Sequence, residues 1–135
     1  MSDRCYGPVQ PRNSDPLTEE AVDMRTLVVE QGHIYVHCYF PNGPHESLIR
    51  IWKSTFLIDR SSGVRAGLIH AENISYAPVW TRMPANRPFR FLLVFSGLPA
   101  SCTFFDLVEE IPEPGGFFVG DILRNERDVY HVDLA

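Results

Sequence analysis

The sequence predicts an all-β protein, an antiparallel β-sandwich of about eight short strands. Three observations indicate this fold. Apolar residues recur with a period of two from Arg25 onward, turn signals rich in Pro, Gly, Asn and Asp separate the periodic segments, and no segment carries the 3.6-residue period of a long helix. A chain of 135 residues with 44% hydrophobic residues has the size and apolar content of one domain. We therefore expect residues 17–135 to form a single β-sandwich domain.

Residues 1–16 predict an irregular amino-terminal segment, because three prolines stand among polar side chains and little is available to bury. Asp15 followed by Pro16 can cap and begin a single helical turn over residues 15–20. Strand-like residues follow at 26–31. Gly32 separates them from a second strand at 33–40, as in a hairpin.

The later strands are predicted from the same alternation. Residues 48–52 and 55–59 form two strands or one strand with a bulge near Lys53, and a turn at 59–63 leads into a strand at 64–70. Prolines frame an irregular stretch between Pro78 and Pro88. Residues 89–95 are apolar on both faces and predict an interior strand, and further strands are expected at 102–109, 117–123 and 128–134. The predicted core consists of Ile34, Val36, Ile49, Ile51, Phe56, Phe91, Leu93, Phe95, Phe105 and Leu107.

Composition argues against several classes of protein. The net charge is −5 and no run of Lys and Arg occurs, so we expect no nucleic-acid partner. The longest apolar stretch, around residues 89–95, is far shorter than the roughly 20 residues of a membrane helix, so we expect no membrane insertion. The first residues lack the apolar stretch of a signal peptide. A complete chain would accordingly be cytoplasmic, and a chain whose leader was removed would be exported.

The three cysteines, Cys5, Cys38 and Cys102, are spaced too widely for a zinc motif or a disulfide framework. We interpret Cys38 and Cys102 as buried reduced thiols, with a bridge between them as the alternative. The protein is therefore expected to fold without a metal ion and without a disulfide.

No catalytic motif is complete in this sequence. The triplet His70-Ala71-Glu72 matches the start of the zinc deaminase signature, but the required Pro-Cys-x-x-Cys is missing and the span ending at Cys102 offers one thiol at the wrong spacing. Nucleophile-elbow and phosphate-binding glycine motifs are also absent. We predict no catalytic residue, no cofactor and no metal site, and hence no enzyme.

One strand predicts a binding surface. His33, Tyr35, His37 and Tyr39 alternate with apolar residues and share one face of the strand at 33–40. His33 and His37 would stand about 13 Å apart along it, too far to share one metal ion. The stripe is therefore either a flat binding surface or an ordinary half-exposed strand face.

A family resemblance rests on residues between about Ile34 and Ile122. They are Ile49-Arg50-Ile51, Phe56-Leu57, the turn at Gly63, Ala71-Glu72-Asn73-Ile74, the run Phe91–Phe95, Leu98-Pro99, the run Phe105–Glu109, and Ile122. In these residues the chain resembles bacterial immunoglobulin-like modules of uncharacterised function, found alone or beside thioredoxin-like domains. The resemblance implies an immunoglobulin-like sandwich and transfers no catalytic residue. Cys38, Trp52 and Cys102 follow the order of the immunoglobulin core, although Ala100 stands where that core has tyrosine.

The sequence therefore predicts a non-enzymatic binding or accessory module whose partner is another protein or a second copy of the chain. The alternative is a sandwich that binds carbohydrate or calcium through exposed aromatic residues and loop acids such as Asp106, Glu109, Glu110 and Glu113. We expect the first hairpin and the strand at 128–134 to be the sheet edges. Residues 26–29 are apolar and uncharged enough to support a homodimer through that hairpin.

Overall fold

The computed structural model describes residues 32–134, and these residues form nine β-strands. The strands are β1 (His33–Phe40), β2 (Ser47–Ile49), β3 (Thr55–Asp59), β4 (Arg65–Glu72), β5 (Thr81–Met83), β6 (Phe89–Ser96), β7 (Phe104–Glu109), β8 (Phe118–Leu123) and β9 (Val129–Asp133). The all-β prediction is confirmed. Residues 32–134 include no helix long and apolar enough to cross a bilayer.

Seven strands form one sheet in the order β8-β7-β3-β4-β6-β1-β9, while β2 and β5 pair separately. Each neighbouring pair in the large sheet is antiparallel except β1 and β9, which run parallel, so the sheet is mixed and not purely antiparallel as predicted. The sheet curves until it is nearly closed. Its edge strands approach each other, since residues 124–128 connect β8 to β9 and the Phe105 ring on β7 lies 5.0 Å from the Tyr130 ring on β9.

The prediction that β1 forms a hairpin with the residues before Gly32 is wrong. This strand pairs with β6 along His33–Phe40 and with β9 along Tyr35–Tyr39, so other strands occupy both sides of β1 over residues 35–39. Residues 26–31, the turn predicted at 15–20 and the irregular segment predicted at 1–16 lie outside the described part of the chain. Among the described strands, β9 is an edge as predicted, β1 is interior and β8 forms the second edge.

Nine of the ten residues predicted for the core are buried, and the prediction for the tenth, Phe56, is wrong. Phe56 lies on the outer side of β3, beneath the Arg65 guanidinium at 4.8 Å, and Leu57 points inward in its place. The inward positions on either side of Leu57 are polar. Thr55 donates to the Trp52 carbonyl at 2.6 Å, and Asp59 accepts hydrogen bonds from the following turn. Because these polar groups are satisfied by local bonds, burying them costs little.

The small sheet packs on the same core as the large one. Ile49 on β2 and Met83 on β5 belong to the same buried cluster as the residues of β1 and β6. The segment predicted as irregular between Pro78 and Pro88 contains the short strand β5. The strand predicted at 48–52 is shorter than expected, because β2 ends at Ile49, and β2 and β3 belong to different sheets and do not form one bulged strand. The interior position predicted for residues 89–95 is confirmed, because β6 lies between β4 and β1.

Candidate binding groove

The outer face of β9, β1, β6 and β4 carries rows of side chains that the strand pairing places side by side. Tyr39 on β1 stands opposite both Asp133 and Arg90, and His37 stands opposite both His131 and Leu92. Two adjoining rows therefore cross the face from β9 towards β4. The first consists of Asp133, Tyr39 and Arg90, and the second consists of His131, His37, Leu92 and Glu72. Four strands thus contribute to one surface.

An open groove of about 750 Å³ lies over these two rows. Its lining also includes Asn73, which follows β4 in the left-handed backbone region at φ 65°. Ligand-binding sites in proteins occupy about 300–1,000 Å³, so the groove has the size of a binding site. Its lining mixes aromatic, imidazole, carboxylate and guanidinium groups.

A pair of histidines marks the β9 side of the groove. The His37 and His131 rings are stacked, with centroids 4.8 Å apart and planes inclined by 12°. Both residues are exposed, so their ring edges are available to a ligand. Each imidazole can donate and accept a hydrogen bond, which suits the pair to a polar partner.

The other side of the groove is organised by Arg90. Its guanidinium carbon lies 5.2 Å from the centre of the Tyr39 ring, a cation–π contact that fixes both side chains. The Asn73 side chain donates to the Arg90 carbonyl and so ties the end of β4 to β6. On β4, His70 Nε2 lies 3.1 Å from Glu72 Oε2, which holds that carboxylate at the rim.

Two of the four residues predicted as a binding surface line this groove. His37 and Tyr39 do so, whereas His33 and Tyr35 lie further along β1, opposite Ser96 and Val94. Four further residues of the groove were not predicted from the sequence as members of this site: His131, Asp133, Glu72 and Arg90. The alternation of β9 does place His131 and Asp133 on one exposed face, but only the parallel pairing with β1 brings that face beside His37.

Within residues 32–134, no three His, Cys, Asp or Glu side chains come close enough together to hold a metal ion. His70 and Glu72 contact each other at the groove rim. Among the loop acids considered for calcium, Asp106 faces Arg60 together with Asp121, and Glu110 pairs with Arg65 at 2.8 Å. These carboxylates are arranged around cationic side chains.

A second, smaller surface lies where the two sheets meet. The Arg50 guanidinium carbon is 3.9 Å from the centre of the Trp80 ring and 5.5 Å from that of Trp52, and its Nη1 donates to the Pro78 carbonyl at 3.2 Å. Trp80 is half exposed. Beside these rings lies a pocket of about 160 Å³ that Glu109 and Glu113 also line.

Two buried carboxylates are committed to holding loops. Burial raises the pKa of Glu109 above its ordinary range, although its two oxygens accept backbone N–H bonds from Trp52 at 3.0 Å and Phe117 at 3.1 Å. Burial acts in the same direction on Asp59, but hydrogen bonds from Ser62 and Ser61 outweigh it and hold the pKa of Asp59 below its usual value. Both side chains use their oxygens within the fold.

The cysteines of the described chain, Cys38 and Cys102, are buried and free, which confirms reduced thiols over the alternative bridge. Burial raises the pKa of the Cys38 thiol to about 12, so it is neutral at physiological pH. A neutral buried thiol is a poor nucleophile.

Comparisons with protein-family models, with known proteins and with solved structures gave no significant match to this chain. The class that the observations define is thus an all-β protein with a nearly closed seven-stranded mixed sheet and an open groove on its outer face.

Proposed function

We propose that this chain is a non-enzymatic binding module and that another protein docks in the groove between His131 and Glu72. The groove itself carries the proposal, because it is open and its lining includes Tyr39 and Arg90, residue types that are enriched where proteins contact each other. Tyr and His side chains have only two χ angles, and Arg90 already lies over the Tyr39 ring, so these side chains lose less conformational freedom than free long side chains when a partner binds. The side chains that line it come from paired strands, which supports a pre-formed surface.

The test compares capture of proteins by the wild-type chain and by two matched double variants. His37→Thr with Tyr39→Thr alters the groove and keeps the β-propensity of β1. The control, Phe104→Thr with Leu123→Thr, makes the same kind of change at a cross-strand pair of exposed residues on β7 and β8. Captured proteins are quantified by mass spectrometry from an extract of the source organism.

We expect the wild-type chain and the control variant to capture the same protein in similar amounts. The groove variant should capture at least about tenfold less of it. A tenfold loss corresponds to about 1.4 kcal/mol, a modest value for two central contact residues. Equal capture by both variants would contradict the placement of the site.

The surface formed by Arg50, Trp52 and Trp80 favours carbohydrate binding as a second candidate function. A half-exposed indole next to a pocket that Glu113 lines offers a sugar both an apolar face and a carboxylate acceptor. Affinity electrophoresis through gels containing soluble polysaccharides tests this candidate, with Trp80→Ala as the site variant and His37→Thr as the control. Retardation that Trp80→Ala abolishes would support it, and unretarded migration of the wild type would exclude the polysaccharides used.

We further propose that the fold is a variant of the immunoglobulin-like sandwich, as the family resemblance implies. In support, β3, β7 and β8 form one antiparallel group, β4, β6 and β1 form another, and hydrophobic residues of both groups belong to one core. The parallel β9 and the direct β3–β4 pairing are the departures from that arrangement. A crystal structure in which β3 pairs with β4 only over residues 65–67, with the two groups facing each other across the core, would support this proposal, and pairing of β3 and β4 along their full lengths would contradict it.

A further inference from the structure

The hydrogen-bonding direction of β9 distinguishes its two sides. Tyr35 N–H donates to the Asp128 carbonyl at 2.9 Å, and Leu134 N–H donates to the Tyr39 carbonyl at 2.8 Å. In a parallel ladder with this register, the even-numbered residues of β9 bond to β1, and Val129, His131 and Asp133 point their backbone groups away from it. Among these, the Val129 carbonyl accepts from the Asn125 side chain at 3.0 Å. Within the described chain, no strand pairs with the His131 and Asp133 side of β9.

The same two residues also contribute side chains to the groove. His131 and Asp133 therefore present backbone groups to the sheet edge and side chains to the binding face. An extended segment that paired with this edge would gain backbone hydrogen bonds at these two residues. It would also place its alternate side chains beside the His37–His131 stack.

The other edge of the sheet is less suited to strand pairing. The register of β8 against β7 shifts between Phe105 and Leu107, and Asp121 stands in the left-handed region at φ 59°. Asp121 also pairs with Arg60. A bulge of this kind interrupts a ladder and blunts an edge against pairing. By contrast, β9 keeps an unbroken register with β1 over Val129–Asp133.

We propose that the partner of the groove is an extended peptide segment of another protein that adds to the sheet beside β9. The inference rests on the groove as the binding site. Opposite-charge pairs stabilise directly facing strand positions, so the segment carries Lys or Arg opposite Asp133. Two residues along the peptide from that basic residue, it carries an aromatic side chain that lies beside His131. The recognised chemistry is thus a basic residue and an aromatic residue at alternate positions of a strand.

A displayed library of random twelve-residue peptides, selected on the full-length chain, supplies the probe. The affinity of the selected peptides is then measured for Asp133→Pro and for its matched control Asp133→Ala. Both variants lose the carboxylate, but only proline removes the edge-facing N–H. Proline leaves the β1 ladder intact, because Leu134 and not Asp133 donates to Tyr39. Thermal melts establish that both variants fold.

We expect selected peptides with the alternate basic and aromatic pattern, and affinity about tenfold weaker for Asp133→Pro than for Asp133→Ala, because a peptide carbonyl is left without its donor. A second measurement does not depend on the folding of a variant. Methylating the peptide nitrogens one at a time should abolish binding at alternate positions only, those that face β9.

Three results would overturn strand addition: equal affinity for the Pro and Ala variants, methylation effects without alternation, or the selection of no peptide. If peptides instead lose affinity only for His37→Thr with Tyr39→Thr, the groove is retained and strand addition fails. Peptides indifferent to every one of these variants would refute the groove as well. A dimer seen by sedimentation that Asp133→Pro dissociates would assign the edge to a second copy of the chain.

Discussion

Arg124 holds the two ends of the large sheet together, and its replacement gives the sharpest test of the described fold. The guanidinium makes a two-point ion pair with Asp128, with Nε–Oδ1 at 2.6 Å and Nη2–Oδ2 at 3.0 Å, and its Nη1 donates to the Pro99 carbonyl at 2.8 Å. Asp128 Oδ1 also accepts from the Tyr130 hydroxyl at 2.9 Å. This network joins the end of β8, the start of β9 and the loop before β7.

The cost of Arg124→Met follows from the burial of the pair. The side chains of Arg124 and Asp128 are 15% and 23% exposed. Exposed ion pairs contribute about 0–1 kcal/mol, and breaking a fully buried one costs about 3–5 kcal/mol. We therefore expect the free energy of unfolding to fall by about 2–3 kcal/mol, which lowers the melting temperature by about 6–12 °C in a domain of this size.

Urea unfolding of four chains measures this value: wild type, Arg124→Met, Asp128→Asn and the double variant. Asparagine suits the φ of 56° at position 128, so Asp128→Asn removes the charge without backbone strain. The cycle should give a coupling of at least about 1 kcal/mol. Arg65→Met is the matched control, because the Arg65–Glu110 pair is 46% exposed on both sides and should be worth less than about 1 kcal/mol. Additive effects, or equal losses at Arg124 and Arg65, would refute the reasoning.

Three further outcomes are expected. Because the pKa of Asp59 is lowered in the folded chain, its carboxylate contributes stability at pH values above the ordinary pKa of 3.8, and this stability is lost as the pH falls through the folded-state pKa. In urea unfolding at a series of pH values, Asp59→Asn should therefore reduce the loss of stability at acid pH, and an unchanged pH profile would contradict the hydrogen bonds assigned to Asp59. In a Cys5→Ser chain, Cys38 and Cys102 should react with a thiol reagent only after unfolding, since burial raises the pKa of both thiols; rapid labelling of the folded chain would show that they are accessible. Phe91→Ala should cost about 2–5 kcal/mol and Phe56→Ala about 1 kcal/mol by chemical unfolding; similar losses would place Phe56 in the core.

The fold class and most strands could be predicted because β-structure imprints a period of two on the sequence. In β1 the predicted alternation of exposed and buried side chains holds over residues 33–38, whereas Tyr39 and Phe40 are both partly buried. The alternation in β3 led to the wrong face. Phe56 and Ile58 form the more apolar face of β3, which predicted that this face is buried. The opposite face, with Leu57 between Thr55 and Asp59, is buried instead, because hydrogen bonds at the strand ends satisfy the two polar side chains. Such local satisfaction depends on turn geometry, which apolar periodicity does not report.

Strand partners were predicted less well than strands, because pairing is a property of residues far apart in the chain. Gly32 after a strand-like segment indicates a hairpin locally, but β6 and β9 occupy both sides of β1. Short strands are also hard to predict. The three residues of β5 carry no periodicity, and they form a strand because β2 pairs with them and both β2 and β5 contribute to the main core. Tertiary contact thus overrides the local signals of Pro78 and Pro84.

The binding groove shows why a site can be half visible in a sequence. His37 and Tyr39 were identifiable because their own strand places them on one face. His131 and Asp133 meet them only through a parallel pairing that joins residues more than ninety positions apart. A shift of one residue in that register would turn His131 and Asp133 inward and bring Tyr130 and Val132 to the surface. Burial of the Tyr130 ring against Phe105, at 5.0 Å, opposes such a shift. The contacts that bury Tyr130 in the core therefore also fix the position of His131 in the groove, and substitutions of Tyr130 should disturb binding as well as stability.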